Sequence, residues 1–507
     1  MRFFEALTIL SLAATACALM WAPARRARPV QWLPWAAGGA VVLHFALEGA
    51  RWQMVPAYAL AIVFAVLSLR AMRAEPDAAS GEPAARPWLR RTGAGLSLLL
   101  VGASAAFATL LPVFDLALPT GASGVGTTTL HLVDSSRAEI ITERPDDRRE
   151  LVVRLWYPAQ VSDETAAEPA PYIASDVGAA YAEKYGLPAF ATSHLARVET
   201  HAYRDMPLSD APRAYPVLLF SHGYNVPPAL YTSFLVDMAS RGYVVASVNH
   251  TYESTAAVFP DGRVATFSHA FAQDRHTAAM WAQIDSLEQQ YRRSAGAGRL
   301  AALRAMNRIY PNADMMRRWA ADLSFVIDEL TRLHADEPTS RFHQRLDLTR
   351  LGAFGHSAGG AAAGQVLLED DRVRAGVNWD GAQWGDAIDA PFAQPFMVVS
   401  ADWDAAAFLP NPLIYRQGSK SAFYDLTIRG TGHSNFSDIP RLIPVQAVNQ
   451  AGSIAPERAA RITTAYTEAF FNRHLNGEDA WLPDAASAFP EARLVVRKGN
   501  EAVQSQE

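Results

Sequence analysis

The chain has 507 residues, half of them hydrophobic, with a formal net charge of −6 and a single cysteine. That length exceeds one minimal domain and can bury a large α/β core beside a second unit. The lack of a basic excess argues against nucleic acid as a partner, and the lone Cys17 excludes an internal disulfide framework and any multi-cysteine metal site.

In chain order, the first 117 residues carry four apolar segments, at about 3–22, 32–47, 54–69 and 93–114, separated by arginine- or proline-bearing breaks. The first and last approach the ~20 residues that cross a bilayer, whereas the two between them are shorter and need flanking residues to reach. A removable signal peptide would explain only the first, and no small-residue cleavage site closes it. The expectation is a transmembrane helical region over 1–117 with about four spans; the alternative is a buried helical bundle. Arg25, Arg26 and Arg28 follow the first segment, and Arg70, Arg73, Arg86, Arg90 and Arg91 separate the third from the fourth. Those loops are expected to be cytoplasmic, which puts everything after Phe114 on the extracytoplasmic side. Residues 75–86, rich in Ala, Pro and Glu, read as a loop without a core. Glu5 and His44 are the ionisable residues in or near the apolar stretches, too few for a transport path.

Residues 118–144 read as a linker and first strand, and 145–507 as one α/β domain. Strand candidates are "ELVVRLWYP", "YPVLLFSHG", "GYVVASVNH", "RLGAFGHS", "AGVNWD", "PFMVVSAD" and "FYDLTIRG". Most are continuous apolar runs, the pattern of strands buried on both faces. Trp319, Leu323, Val326, Ile327 and Leu330 fall on one helical face between two of them. Alternating strands and helices predict a doubly wound, mostly parallel sheet with right-handed crossovers. A helical insertion over about 268–316 interrupts the pattern and is expected to cap the carboxyl edge of the sheet.

The stretch "LGAFGHSAGG", residues 351–360, reads as a buried strand that ends in Gly355-His356-Ser357-Ala358-Gly359 and enters an Ala-rich helix. That is the form of a nucleophile elbow, a turn so tight that the positions two before and two after the serine must lack bulk. Ser357 is therefore the candidate nucleophile; the alternative is a Gly/Ser turn that only lets a helix pack closely. A serine hydroxyl needs a base and the base an orienting acid, in the chain order Ser, acid, His. After Ser357 only His433 and His474 remain. His433 sits in the Gly-rich loop "RGTGHSNFSD" after a strand, whereas His474 ends a predicted helix, where the dipole favours it. His433 is the expected base. Two places offer the acid, Asp380 at the end of "AGVNWDG" and Asp402 with Asp404 after "FMVVSADWD", and local sequence favours neither. One oxyanion-hole amide comes from Ala358, after the nucleophile. The other should lie after "LLFSHG", where His222 and Gly223 allow close backbone approach, with His222 shaping that loop. Trp379, Trp384 and Phe436 are candidates for an apolar acyl pocket, against an ordinary core role.

Taken together, "VLLFSHGYN", "GYVVASVNHTYES", "LGAFGHSAGG", "AGVNWDGAQWG" and "LTIRGTGHSNFSD", in this order, resemble the plasma-type platelet-activating factor acetylhydrolase family, a branch of the serine-dependent α/β-hydrolases. The similarity covers about residues 145–475 and leaves out the apolar N-terminal segments. In that family the acid follows the strand after the nucleophile helix, in a segment like "NWDGAQWG". The resemblance thus implies a triad of Ser357, Asp380 and His433, with Asp402 or Asp404 as the fallback acid, and Tyr224 as the second oxyanion donor. It implies ping-pong hydrolysis, without calcium or any other metal or organic cofactor, of phospholipids carrying short or oxidised acyl chains at the second glycerol position. Tyr224 and Asn225 after His222-Gly223, the "SAGG" elbow, Trp379 and Trp384 depart from the family, which bears on acyl length and leaving group. A broad short-chain esterase or polyester hydrolase is the alternative enzyme, and a non-catalytic membrane binding module or sensor the alternative of another class. The expected partners are the ester substrate and the bilayer; the sequence specifies no oligomeric state.

Overall fold

A computed structural model describes residues 1–20, 28–73, 87–160, 167–210, 213–403, 409–478, 488–498 and 504–505. The chain forms two compact units, one of Met1–Phe114, Phe190–Arg197 and Arg441–Val445, the other of the remainder. The arginine-bearing connections at 21–27 and 74–86, and Asp404, lie outside the described residues.

In the smaller unit the four apolar segments form α1 (Phe3–Met20), α2 (Arg28–Leu43), α3 (Val55–Arg73) and α4 (Pro87–Leu110). Only two stretches here, Trp52–Arg70 and Arg91–Leu110, are long and apolar enough to cross a membrane among the described residues. The apolar part of α1, Phe3–Ala18, is shorter, and α2 has 16 residues with Pro34 inside it. Ile9, Leu12, Met54, Leu60, Phe64 and Val101 form an apolar core between these helices, yet apolar side chains also face outward and several polar ones lie inside. Leu10, Trp32, Val42, Ile62 and Leu99 are exposed, while Glu5, Thr8, His44, Arg51 and Gln53 are buried. The buried charges are paired: Glu5 accepts from Arg51 Nη2 at 2.6 Å and Arg2 Nε at 2.9 Å, and His44 bonds Glu48 at 2.9 Å and Tyr58 at 2.6 Å. An ion among apolar helices persists only with such partners.

The larger unit is built on β1 (Gly124–Ala138), β2 (Arg148–Ala159), β3 (Pro169–Pro171), β4 (Glu199–Arg204), β5 (Tyr215–Ser221), β6 (Val244–Asn249), β7 (Ala256–Val258) and β8 (Val264–Thr266). After these come β9 (Leu346–His356), β10 (Val373–Trp379), β11 (Phe396–Ser400), β12 (Ala422–Ile428), β13 (Ala492–Lys498) and β14 (Gln504–Ser505). All but the β7–β8 hairpin join one twelve-stranded sheet in the order β14-β13-β12-β11-β10-β9-β5-β6-β2-β1-β4-β3. Its centre, β12 to β6, is parallel, and β2 and β13 flank it antiparallel. All seven strand candidates from the sequence are strands.

β5 and β6 are buried at every residue because helices cover both faces, the condition that makes their sequences uniformly apolar. Leu218 and Phe220 pack with Phe234 and Met238 of α6 (Thr232–Ser240), once α5 (Ser175–Lys184) has been passed, and with Phe470 of the helix Pro456–Leu475. Val217 and Leu219, alternating with them, join a second core. The insertion expected over 268–316 is three helices, α7 (His269–Arg275), α8 (Ala278–Arg293) and α9 (Ala297–Ile309). The chain then enters α10 (Pro311–Ala335) at a proline, the first-turn position where its missing N–H costs nothing. The insertion therefore ends about seven residues earlier than 316. Leu323, Val326, Ile327 and Leu330 of α10 fill the second core, as their spacing predicts.

Candidate active site

β9 ends at His356 and α11 (Ala358–Glu369) begins two residues on, so Ser357 must turn the chain alone. It does so at φ 57°, ψ −121°, a region that side-chain-bearing residues rarely occupy and that persists only when the surroundings overdetermine it. Here the Ser357 N–H donates to the Trp379 carbonyl at 2.8 Å. A Cβ at Gly355 would strike the Gly359 backbone, and one at Gly359 would strike the Ser221 carbonyl.

Asp380, one residue past β10, also has positive φ, 51°. Its N–H donates to the Val399 carbonyl at 2.7 Å, and Asn378 Oδ1 accepts from the Gly381 N–H at 2.8 Å, closing the turn. The carboxylate is buried. Oδ1 accepts from the Ala401 N–H at 2.9 Å and the Trp403 indole N–H at 3.1 Å, and Oδ2 meets His433 Nδ1 at 2.7 Å. A carboxylate fixed by three donors holds the proton on Nδ1 and makes Nε2 the basic ring atom. Trp403 also stacks on the His433 ring, centroids 5.7 Å apart. Asp402 instead accepts the Gly430 N–H at 2.7 Å. His474 bonds the Tyr424 hydroxyl at 2.9 Å, and burial with the neighbouring Arg473 depresses its pKa to about 4.

His356 joins the parts. The Gly223 N–H donates to the Tyr231 hydroxyl at 3.0 Å, Tyr231 lies 2.9 Å from His356 Nδ1, and His356 Nε2 donates to the His433 carbonyl at 3.0 Å. The residue before the nucleophile thus fastens both the loop at 222–226 and the loop bearing His433. The backbone N–H groups of Tyr224 and Ala358 meet no acceptor among the described residues; for Ala358 this is the ordinary state of a first-turn amide. Both residues pack against Met315, Met316 and Trp319.

Behind the 222–226 loop lies a buried polar array. Arg149 Nε and Nη2 donate to Asp322 at 3.0 and 2.6 Å, Asp322 meets His250 Nδ1 at 2.8 Å, and His250 Nε2 meets Ser221 Oγ at 2.8 Å. The His250 N–H donates to His222 Nε2 at 3.1 Å, and His222 Nδ1 donates to the Gly223 carbonyl at 2.8 Å. Burial and the adjacent His250 depress the His222 pKa to about 3, so His222 works as a neutral bracket for the loop.

The pocket expected from Trp379 and Phe436 is not where they lie. Both are fully buried in the core shared with α6 and the helix Pro456–Leu475. Trp379 packs on Phe234, centroids 5.2 Å apart, and donates to Thr467 Oγ1 at 3.0 Å, while Phe436 lies against His356 at 6.1 Å. Strand alternation turns Trp379 inward, whereas Asp380 is the residue that leaves the strand. Trp384 belongs to the apolar interior of the insertion with Met280, Ile284 and Met306. A run of rings missed in the sequence reaches it from the loop: Tyr224 contacts Phe267 at 5.2 Å and His276 at 6.4 Å, His276 contacts Trp281 at 6.0 Å, Trp281 contacts Tyr310 at 5.8 Å, and Tyr310 contacts Trp384 at 5.3 Å. Tyr231, His356 and Trp403 were missed as well. The adjacent "ADWD" draws attention to its carboxylates, although the indole between them carries the bond to Asp380.

A mostly parallel sheet with a strand–elbow–helix serine, followed along the chain by an aspartate and a histidine, defines an α/β-hydrolase. The comparisons narrow this. A sequence profile of the platelet-activating factor acetylhydrolase isoform II family matches residues 138–487, and the chain belongs to that family. It is 23% identical over 303 residues to a probable 1-alkyl-2-acetylglycerophosphocholine esterase of Arthroderma benhamiae, covering 54% of this chain and 65% of that protein. It is 24% identical over 340 residues to a platelet-activating factor acetylhydrolase of Cavia porcellus, covering 64% of this chain and 72% of that one. The match therefore spans a little under two thirds of the fungal relative. Among solved structures, a ferulic acid esterase from Streptomyces cinnamoneus superposes with a TM-score of 0.58 at 29% identity, over 76% of this chain and 99% of that chain.

Proposed function

We propose that the chain is a membrane-anchored serine carboxylic-ester hydrolase acting through Ser357, His433 and Asp380. The observation that carries this reading is the 2.7 Å bond from Asp380 to His433, on a carboxylate already braced by two N–H donors, in a chain whose elbow serine is held at positive φ. His433 takes the Ser357 proton as Oγ attacks the ester carbonyl, and Asp380 stabilises the imidazolium that forms. The Tyr224 and Ala358 amides receive the oxyanion. The alcohol departs with the proton from His433, and water repeats the two steps on the acyl-enzyme.

Family membership and the activities named for two relatives favour phospholipids with short or oxidised acyl chains as substrates, hydrolysed without calcium. The ring run from Tyr224 to Trp384 and the ferulic acid esterase likeness favour a second reading, a hydrolase of aryl or other soluble esters. Rates of the full chain on 2-acetyl phosphatidylcholine, p-nitrophenyl acetate and methyl ferulate in EDTA separate them. Phospholipid turnover abolished by Ser357→Ala is the expected result, and turnover confined to the soluble esters would overturn the lipid reading. A folded native protein that neither turns over nor takes a fluorophosphonate label would mean a binding module.

The membrane part of the proposal rests on the many large apolar side chains that α1 to α4 expose, Leu10, Trp32, Val42, Ile62 and Leu99 among them, and on the two membrane-length stretches. The chain is expected to stay in the membrane pellet through alkaline carbonate, and release would overturn this. Arg70, Arg73, Arg90 and Arg91 favour a cytoplasmic α3–α4 connection and an extracytoplasmic catalytic unit. A reporter fused after residue 120 that works only in the cytoplasm would reverse that orientation.

A further inference from the structure

β1, β2 and β6 lie side by side, in a register that sets Trp156 opposite Thr127, Arg154 opposite both Thr129 and Ser247, and Val152 opposite Asn249. Paired side chains share a face and alternate along each strand, so Thr127, Thr129, Arg154, Trp156, Ser247 and Asn249 point the same way. The opposite face of these strands carries Leu151, Val153, Leu155, Ala246 and Val248 and packs as core. Under the start of α5, Pro227 to Ala229 and the β7–β8 hairpin, the polar face encloses a cavity of about 520 Å³.

Arg154 has no business in such a place without an anion. Its guanidinium lies 4.1 Å over the Trp156 ring, Nε donates to Thr127 Oγ1 at 3.0 Å, and Nη1 and Nη2 donate to the Pro171 carbonyl at 3.2 Å. These acceptors are neutral and engage three of the five N–H donors that an arginine carries. No carboxylate pairs with it among the described residues. The charged groups of the rim are Arg204, paired with Glu168 at 3.1 Å, and Asp205, paired with Arg341 at 3.1 Å. Burial and repulsion from Arg204 depress the Arg154 pKa to about 9, which still leaves a cation at neutral pH.

Two more donors line the same space. Trp156 Nε1 and Ser247 Oγ have no hydrogen-bond partner among the described residues, although their residues are only 1% and 2% exposed. A buried donor left unsatisfied destabilises the fold, and a ligand acceptor would relieve both. The remaining wall is apolar, with Ile173, Val177, Pro228 and Val258, and the volume exceeds what a small inorganic anion fills.

We infer that this cavity is a binding site, separate from the serine site, for an amphiphilic carboxylate, its head on Arg154, Trp156 and Ser247 and its tail along Ile173, Val177 and Val258. Titration calorimetry of the full chain in lipid nanodiscs, with Ser357 blocked by a fluorophosphonate or left native, compares octanoate, octanol and acetate. Octanoate is expected to bind once per chain in both preparations, at least tenfold tighter than either of the others. Arg154→Met and Val177→Trp are each expected to weaken octanoate at least tenfold. Arg154→Met removes an unpaired buried cation, so it should fold, and Val177→Trp narrows the space without touching the polar face. Octanoate also raises the Tm of the native chain but not that of Arg154→Met. Equal binding of octanol or acetate, or octanoate affinity unchanged in both variants, would overturn the inference. So would octanoate binding that vanishes when Ser357 is blocked.

Discussion

An aspartate braces a histidine at two places in the larger unit. At one, Asp322 meets His250 and His250 meets Ser221, both at 2.8 Å, and every member is fully buried. At the other, Asp380 meets His433 at 2.7 Å, and the His433 side chain is 24% exposed; Ser357 is the serine proposed to act with them. The residue types match, so they do not tell the two sets apart. Three physical differences do. Ser357 sits at a strained turn at the head of a helix, whereas Ser221 ends an ordinary strand inside the sheet. Asp380 is held by neutral N–H groups, whereas Asp322 is the partner of Arg149. The Tyr224 and Ala358 amides meet no acceptor among the described residues, while the members of the second set are bonded to one another. The buried set holds the His222 loop, through the His250 N–H on His222 and His222 on the Gly223 carbonyl.

Changes to the two sets separate chemistry from support. Ser357→Ala is expected to lower ester hydrolysis by about 10⁴-fold or more with unchanged Tm, while Ser221→Ala leaves the rate within about threefold; equal losses would erase the distinction. Asp380→Asn follows, at about 10³- to 10⁴-fold in kcat, because an amide no longer sets the tautomer of His433. Asp322→Ala takes from the buried Arg149 the carboxylate that accepts from Nε and Nη2, leaving it Glu139, and urea unfolding should show a loss of about 3 kcal/mol, against little for Asp380→Asn.

Acid is the next lever. Burial lowers the pKa of His222 to about 3 and that of His250 below its ordinary value. At these two sites the unfolded chain binds more protons than the folded one below about pH 6.5, so their contribution to stability rises with pH there and levels off above it. From pH 7 to pH 5, His222 alone should remove about 2 kcal/mol, read as a falling Tm. Tyr231→Phe is the mildest, a loss of about 1 kcal/mol in stability and of up to tenfold in kcat, since it removes the hydroxyl between Gly223 and His356.

Much of this arrangement is legible in the chain, for reasons that also mark where legibility stops. Strands buried on both faces announce themselves as apolar runs, and the elbow by its obligatory small residues. Trp379 and Phe436 show the limit: an aromatic residue at a strand end reads alike whether it turns toward a cleft or a core, and only the neighbouring α6 and the helix Pro456–Leu475 settle it. The two candidate acids could not be separated locally because what distinguishes Asp380 is a set of donors from Ala401, Trp403 and His433, distant in sequence. Arg154 passed unnoticed within "ELVVRLWYP" because its meaning depends on what stands opposite it in β1 and β6. The membership of Phe190–Arg197 in the helical unit has no local signature for the same reason.

His356 has a further consequence. One imidazole pins the nucleophile turn to two loops drawn from distant stretches of chain, so none of the three can drift while the others hold. Warming would then extinguish turnover abruptly, as a latch releases, with no long range of half-ordered, sluggish enzyme beforehand.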